Sequence, residues 1–205
     1  MMLGARTAAW AKSGAPLPYD AEVEWIDNTE DKNAFIDLGL RASSKDEWRL
    51  GFGVREKHPD ELFWGAANDN SRTATAWSTL GGAVRFGGSK TYSFPYDRWY
   101  YNFIRNDLIV KEGVITLNGL SVEHPQAIFN DSLSTDNVFI GRCNNDRRII
   151  GCRIFYIKLI VNGIYKLDLH PVSKDGVAFL HNRIDDSMLG NSGTGSFVIG
   201  PIKTT

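Results

Sequence analysis

The stretch "HPVSKDGVAFLHNRIDDSMLGNSGTGSFVIG", residues 170–200, decides the fold. It is rich in Gly, Asp, Asn and Ser, as a disordered tail or a phosphate-cradling loop would be. Neither reading survives inspection. Val177, Phe179, Leu180, Met188, Leu189, Phe197 and Ile199 are too many apolar side chains for a solvated tail. "GTGSFVIG" has closely spaced glycines, but no Lys-Ser or Lys-Thr follows them and no strand-to-helix step surrounds them. The polar residues read instead as turns between a covering segment and a last strand, "SFVIG". The expectation is that the stretch wraps back on the domain and covers the hairpin that precedes it.

That hairpin is centred on Asn162-Gly163, between "RIFYIKLIV" and "IYKLDLH". Strict two-residue pairing puts the apolar row Phe155, Ile157, Leu159, Val161 on one face and the row Tyr165, Leu167, Leu169 on the other. Either a bulge corrects the register, or both faces are covered; a covered sheet is the favoured expectation. A tidier hairpin lies upstream in "VITLNGLSVE". Asn118-Gly119 suits a type I′ turn, which pairs Leu117 with Leu120 and Ile115 with Val122 on one face. "EWRLGFGVR" alternates cleanly: Trp48, Leu50, Phe52 and Val54 point one way, and Glu47, Arg49, Gly51, Gly53 and Arg55 the other. Further strands are expected in "AEVEWI", "AFIDLGL", "ELFWGAA", "TATAWS", "AVRFGG", "RWYYNFIR", "DLIVKE" and "NVFIGR". No helical period is sustained anywhere, so the pattern is that of an all-β antiparallel sandwich or barrel.

With 205 residues, 42% hydrophobic and 12% aromatic, the chain can bury one substantial core. The formal net charge is −1 and the pI about 6.4, so no basic field exists to hold a phosphate backbone, and a nucleic-acid partner is not expected. No apolar run approaches a membrane span. Residues 1–17, "MMLGARTAAWAKSGAPL", lack a compact apolar core behind a basic start; they read as an N-terminal arm rather than a secretory signal, with the domain proper at 18–205. Cys143 and Cys152 flank "NNDRRIIG", and separate thiols are favoured over a cross-loop disulfide.

Motifs for chemistry are sparse. His58, His124, His170 and His181 show no metal-binding spacing, the Asx clusters read as turns rather than calcium loops, and no metal or other cofactor is expected. Sandwich glycosidases carry acid and nucleophile on one strand, as Glu-x-Asp-x-x-Glu. The nearest approach is Glu22, Glu24, Asp27 and Glu30, which departs from that pattern; exposed charge on an edge strand explains it better. The chain is therefore not expected to be an enzyme. Sugar sites join an aromatic platform to hydrogen-bonding side chains. One loop, "LFWGAANDNSRTATAW", offers Trp64, Asn68, Asp69, Asn70, Arg72 and Trp77, and it is the candidate carbohydrate site.

Taken together, three stretches resemble the small concanavalin A-like lectin/glucanase domains, the laminin-G-like jelly rolls. The opening matches at Glu22, Glu24, Trp25, Ile26, Phe35, Ile36, Asp37 and Gly39. "IFYIKLIVNGIYKLDLHPV" is similar to the family's late hairpin, and the tail matches at Pro171, Asp175-Gly176, Asn191, Gly193, Thr194, Gly195, Phe197 and Gly200. Two stretches depart from it, the turn "NTEDKN" and the residues Ala178, Phe179, Leu180 and His181. The resemblance spans residues 18 to 200 and implies a two-sheet antiparallel jelly-roll sandwich. It also implies a place in surface proteins of gut bacteria or in phage tail and fibre proteins. The function expected on that basis is a non-catalytic recognition module at a cell or virion surface, binding a glycan or surface polysaccharide. The alternative is a structural virion subunit contacting other virion or surface proteins or its own copies as a homo-oligomer. A divergent glycoside hydrolase comes last.

Overall fold

The computed structural model describes residues 16–31, 33–41, 43, 46–55, 64–65, 83–86, 90–93, 102–123, 137–141 and 151–204. Among them there is no helix. The strands, in chain order, are β1 (Ala21–Glu22), β2 (Ile26–Asp27), β3 (Ile36–Asp37), β4 (Asp46–Val54), β5 (Trp64–Gly65), β6 (Ala83–Phe86), β7 (Lys90–Ser93), β8 (Asn106–Lys111), β9 (Val114–Leu117), β10 (Leu120–Glu123), β11 (Phe139–Ile140), β12 (Cys152–Val161), β13 (Ile164–Lys174), β14 (Val177–Asn182), β15 (Met188–Leu189) and β16 (Val198–Ile199).

One large antiparallel sheet runs β10-β9-β8-β4-β12-β13-β14-β15. The opening strands fill in along its middle: β2 lies along β12 and β1 along β13, and β16 pairs with β2. A three-stranded sheet, β3-β11-β5, and the β6–β7 pair stand apart from it. The alternation in β4 works as read, because Trp48, Leu50, Phe52 and Val54 are all buried. They share one apolar cluster with Leu108, Val110, Ile115, Leu117, Ile154, Ile157, Leu159, Leu169 and Leu180 of the large sheet. Ile36, Leu38, Val138 and Ile140, in and beside β3 and β11, belong to the same cluster, so the small sheet shares the core of the large one.

The Asn118-Gly119 hairpin has the expected register, Leu117 opposite Leu120 and Ile115 opposite Val122. Both turn residues have positive φ, 49° and 84°, as a type I′ turn requires. The Asn162-Gly163 hairpin resolves the other way from the expectation. A bulge does the work: Leu159 faces Leu167 and Ile160 faces Tyr165, leaving Lys166 as the extra residue. That slip brings Ile157, Leu159, Leu167 and Leu169 onto one buried face. A second irregularity in β12, at Phe155 against β4, reverses parity again, so Ile154 rather than Phe155 is in the core.

The closing stretch is folded, and its Leu189, Phe197 and Ile199 pack against the core, but it pairs beside the hairpin rather than over it. It extends the sheet laterally, β14 on β13 and β15 on β14, and its end returns as β16 beside β2. Its glycine segment locks onto the opening of the domain. Asn191 Oδ1 accepts from the amides of Phe35 and Gly193, and its Nδ2 donates to the carbonyls of Gly193 and Gly195. Asp31 accepts the Ser196 amide. A Cβ on Gly193 would collide with the Asn33 carbonyl, which is why glycine stands there.

Two other expectations change. Glu22 is not on an edge: β1 pairs with β13, and Val23 on its other side bridges Ile202. The described part of "RWYYNFIR" before β8 is a turn, with Asn102 and Phe103 at φ 56° and 62°. The expected strand "TATAWS" lies outside the described residues.

Candidate functional site

Opposite the core, the middle strands of the large sheet present a second face, built from the other half of the alternation. Three rows cross it. Asp107 of β8, Gly51 of β4 and Tyr156 of β12 form the first. Ile109, Arg49, Lys158 and Asp168, on β8, β4, β12 and β13, form the second. Glu47, Ile160 and Tyr165 form the third.

The first row depends on a missing side chain. A Cβ on Gly51 would stand 2.5 Å from the Tyr156 ring, so glycine lets that ring lie flat across β4. The Tyr156 hydroxyl then reaches β8 and donates to Asp107 Oδ1 at 2.8 Å. Arg105 donates to the same oxygen through Nε and Nη2, at 2.9 and 2.7 Å, with its guanidinium 4.9 Å from the Tyr156 ring centre. Burial and the bond to Asp107 push the Tyr156 hydroxyl up to about 12, so it stays a neutral donor.

In the second row Lys158 donates to Asp168 at 3.0 Å, and His170 Nε2 lies 2.9 Å from the same oxygen. Burial would raise the Asp168 carboxyl, but the hydrogen bonds and charge of His170 and Lys158 outweigh it and hold it at about 2. Burial lowers His170 against the opposing hydrogen bond to Asp168, and the charges of Arg183 and Lys158 add to the lowering. The Lys158 ammonium sits 6.0 Å from the Tyr156 ring centre and 5.8 Å from that of Tyr165, with one tyrosine on either side.

At the third row Glu47 is gripped by two cations. Arg49 Nε donates at 2.6 Å and Lys111 Nζ approaches to 3.1 Å. Burial works to raise Glu47, and its two partners lower it on balance. The Glu47 side chain is 9% exposed, against 40% for Arg49 and 53% for Lys111, so the acid forms the floor and the bases the surface. Beyond β13 the same theme recurs. Glu22 accepts from Arg183 at 2.7 Å and from the Tyr19 hydroxyl at 3.1 Å, with Lys203 at 3.8 Å. At the β2 end, Arg153 pairs with Asp27 while its guanidinium stacks 4.0 Å from Trp25 and 4.1 Å from Phe103.

Of the carbohydrate-site residues expected from sequence, Trp64 falls in β5, its backbone opposite Ile140, in the small sheet. Asn68, Asp69, Asn70, Arg72 and Trp77 lie outside the described residues. Sequence reasoning missed the face around Gly51. The signal was present in "EWRLGFGVR": two glycines on the outward side of a strong strand mark a place where something else approaches the backbone. Cys152 is a free, fully buried thiol, which burial pushes up, and Cys143 lies outside the described residues. Among the described residues no His, Cys, Asp and Glu group is placed to hold a metal ion, and no helix is long and apolar enough to cross a membrane. No family model and no curated protein matches the chain.

Proposed function

We propose that this chain is a non-catalytic recognition module, a concanavalin A-like jelly roll that binds a glycan at a cell or virion surface. The observation that carries the reading is the pair Tyr156 and Tyr165 flanking Lys158, with Asp168 and Arg49 in the same row. Aromatic rings beside charged donors and acceptors, on the rigid middle strands of a sheet, match what a sugar presents: apolar ring faces bordered by hydroxyls. Recognition without turnover is supported by three acids among the described residues. Glycoside hydrolysis needs one carboxyl raised to act as an acid. Glu22, Glu47 and Asp168 are instead all lowered by the bases that hold them.

Glycan-array screening, followed by affinity electrophoresis of variants, tests this. Binding that falls at least tenfold in Tyr165→Ala places the site on the outer face. Binding lost in Trp64→Ala or Trp77→Ala but kept in Tyr165→Ala moves the site to the loop between them. A protein that binds no glycan refutes the reading and leaves the structural virion subunit, with contacts to other virion proteins or its own copies, as the better account.

A further inference from the structure

The second row contains a conflict. Arg49 and Lys158 are direct cross-strand partners, and like charges placed opposite one another destabilise a sheet. Each is drawn away from the other: Arg49 along its own strand to Glu47, Lys158 across to Asp168 on β13. Neither carboxylate lies between them. Lys111 adds a third cation at Glu47, so three bases face two acids, and the acid at Glu47 is sunk below its bases. Arg49 meets Glu47 through Nε and Nη2, which leaves Nη1 outside those contacts on a side chain 40% exposed. A sequence tends to keep a local conflict of this kind where function requires it.

From this geometry we infer that the Arg49–Lys158 pair is an anion subsite, and that the glycan is acidic, a hexuronate-containing polysaccharide whose carboxylate seats between the two cations. This rests on the glycan-binding reading above and narrows it. A carboxylate there would be held by the planar guanidinium on one side and the ammonium on the other, and it would remove the repulsion across β4 and β12. Tyr156 and Tyr165 would then border the sugar ring that bears it.

The test is affinity electrophoresis and titration calorimetry of the full chain with polygalacturonate, alginate, a neutral β-glucan and dextran sulfate. The wild type is expected to bind one of the two uronates at least tenfold tighter than the neutral glucan, with affinity falling several-fold as salt rises from about 50 to about 200 mM. Arg49→Gln is the first variant, because Lys111 still holds Glu47; it is expected to cost at least tenfold in uronate affinity. Lys158→Gln supplies a second measurement, with circular dichroism checking that each variant folds. Uronate binding unchanged in a folded Arg49→Gln overturns the subsite. A neutral glycan bound as tightly as the uronates overturns the acidic ligand while leaving glycan recognition standing. Dextran sulfate bound as tightly as the uronates, and unaffected by Tyr165→Ala, also overturns it, because a general polyanion field would then explain the binding. No binding to any of these four, alongside a neutral or amino sugar found on the array, refutes this inference alone.

Discussion

Asn191 shows how much one side chain can hold. Its amide makes four bonds, all to backbone, and three of those backbone groups belong to the glycine segment while one belongs to Phe35 on the opposite end of the chain. Removing the side chain leaves backbone donors and acceptors without partners, at about 1–3 kcal/mol for each group that water cannot reach. Asn191→Ala should therefore cost about 2–3 kcal/mol in urea unfolding, and Asn191→Asp, which keeps an acceptor for the two amides but sets a carboxylate oxygen against the Gly193 and Gly195 carbonyls, should be destabilised as well. Equal stability of Asn191→Ala and wild type would show that the lock is an idle contact. The sequence made Asn191, Gly193 and Gly195 conspicuous as a tail motif, and it excluded a phosphate loop. What it could not show is the partner, since the Asn33 carbonyl and the Phe35 amide stand more than 150 residues away and carry no mark of their own.

At the scale of strands, alternation was legible, and register only where a turn alone sets it. "EWRLGFGVR" and "VITLNGLSVE" read correctly because period and turn chemistry agree with each other. "RIFYIKLIVNGIYKLDLH" misled because its two irregularities, at Phe155 against β4 and at Lys166 against β12, each reverse the alternation, and an apolar row carries no mark of where they fall. Gly51 puts that distinction to a test. Local propensity favours a β-branched residue in the middle of a strand over glycine. The Tyr156 ring occupies the space that such a side chain needs. Gly51→Val should therefore destabilise the protein, by about 1–3 kcal/mol, as overpacking does. Combined with Tyr156→Ala the cost should shrink, since the added side chain then fills the space the ring has left. Additive costs in the double variant would mean that Tyr156 does not lie over β4 in solution.

Across the whole molecule, the two ends of the domain are built into each other. β1 and β2 take places beside β13 and β12, and β16 pairs with β2. The Lys203 amide donates to the Glu22 carbonyl, and the Glu24 amide to that of Pro201. Leu189, Phe197 and Ile199 pack against the common core from the closing stretch. An arrangement of this kind cannot fold in halves, because the opening strands have no complete set of partners until the last residues arrive. A chain ended after Asp186 would lose β15, the Asn191 lock and β16 together, and would leave β2 unpaired on its outer side. It should lose the single cooperative urea transition of the full chain and bind a hydrophobic dye at neutral pH. The full chain, by contrast, should resist trypsin at Lys174 and Arg183, because both lie in hydrogen-bonded surroundings: Lys174 is paired to Val177, and the Arg183 amide donates to the Asp168 carbonyl. Rapid cleavage of the native protein at either site, or a sharp unchanged transition in the truncated chain, would show that the closing stretch is an accessory and that residues up to Asp186 form the cooperative unit by themselves.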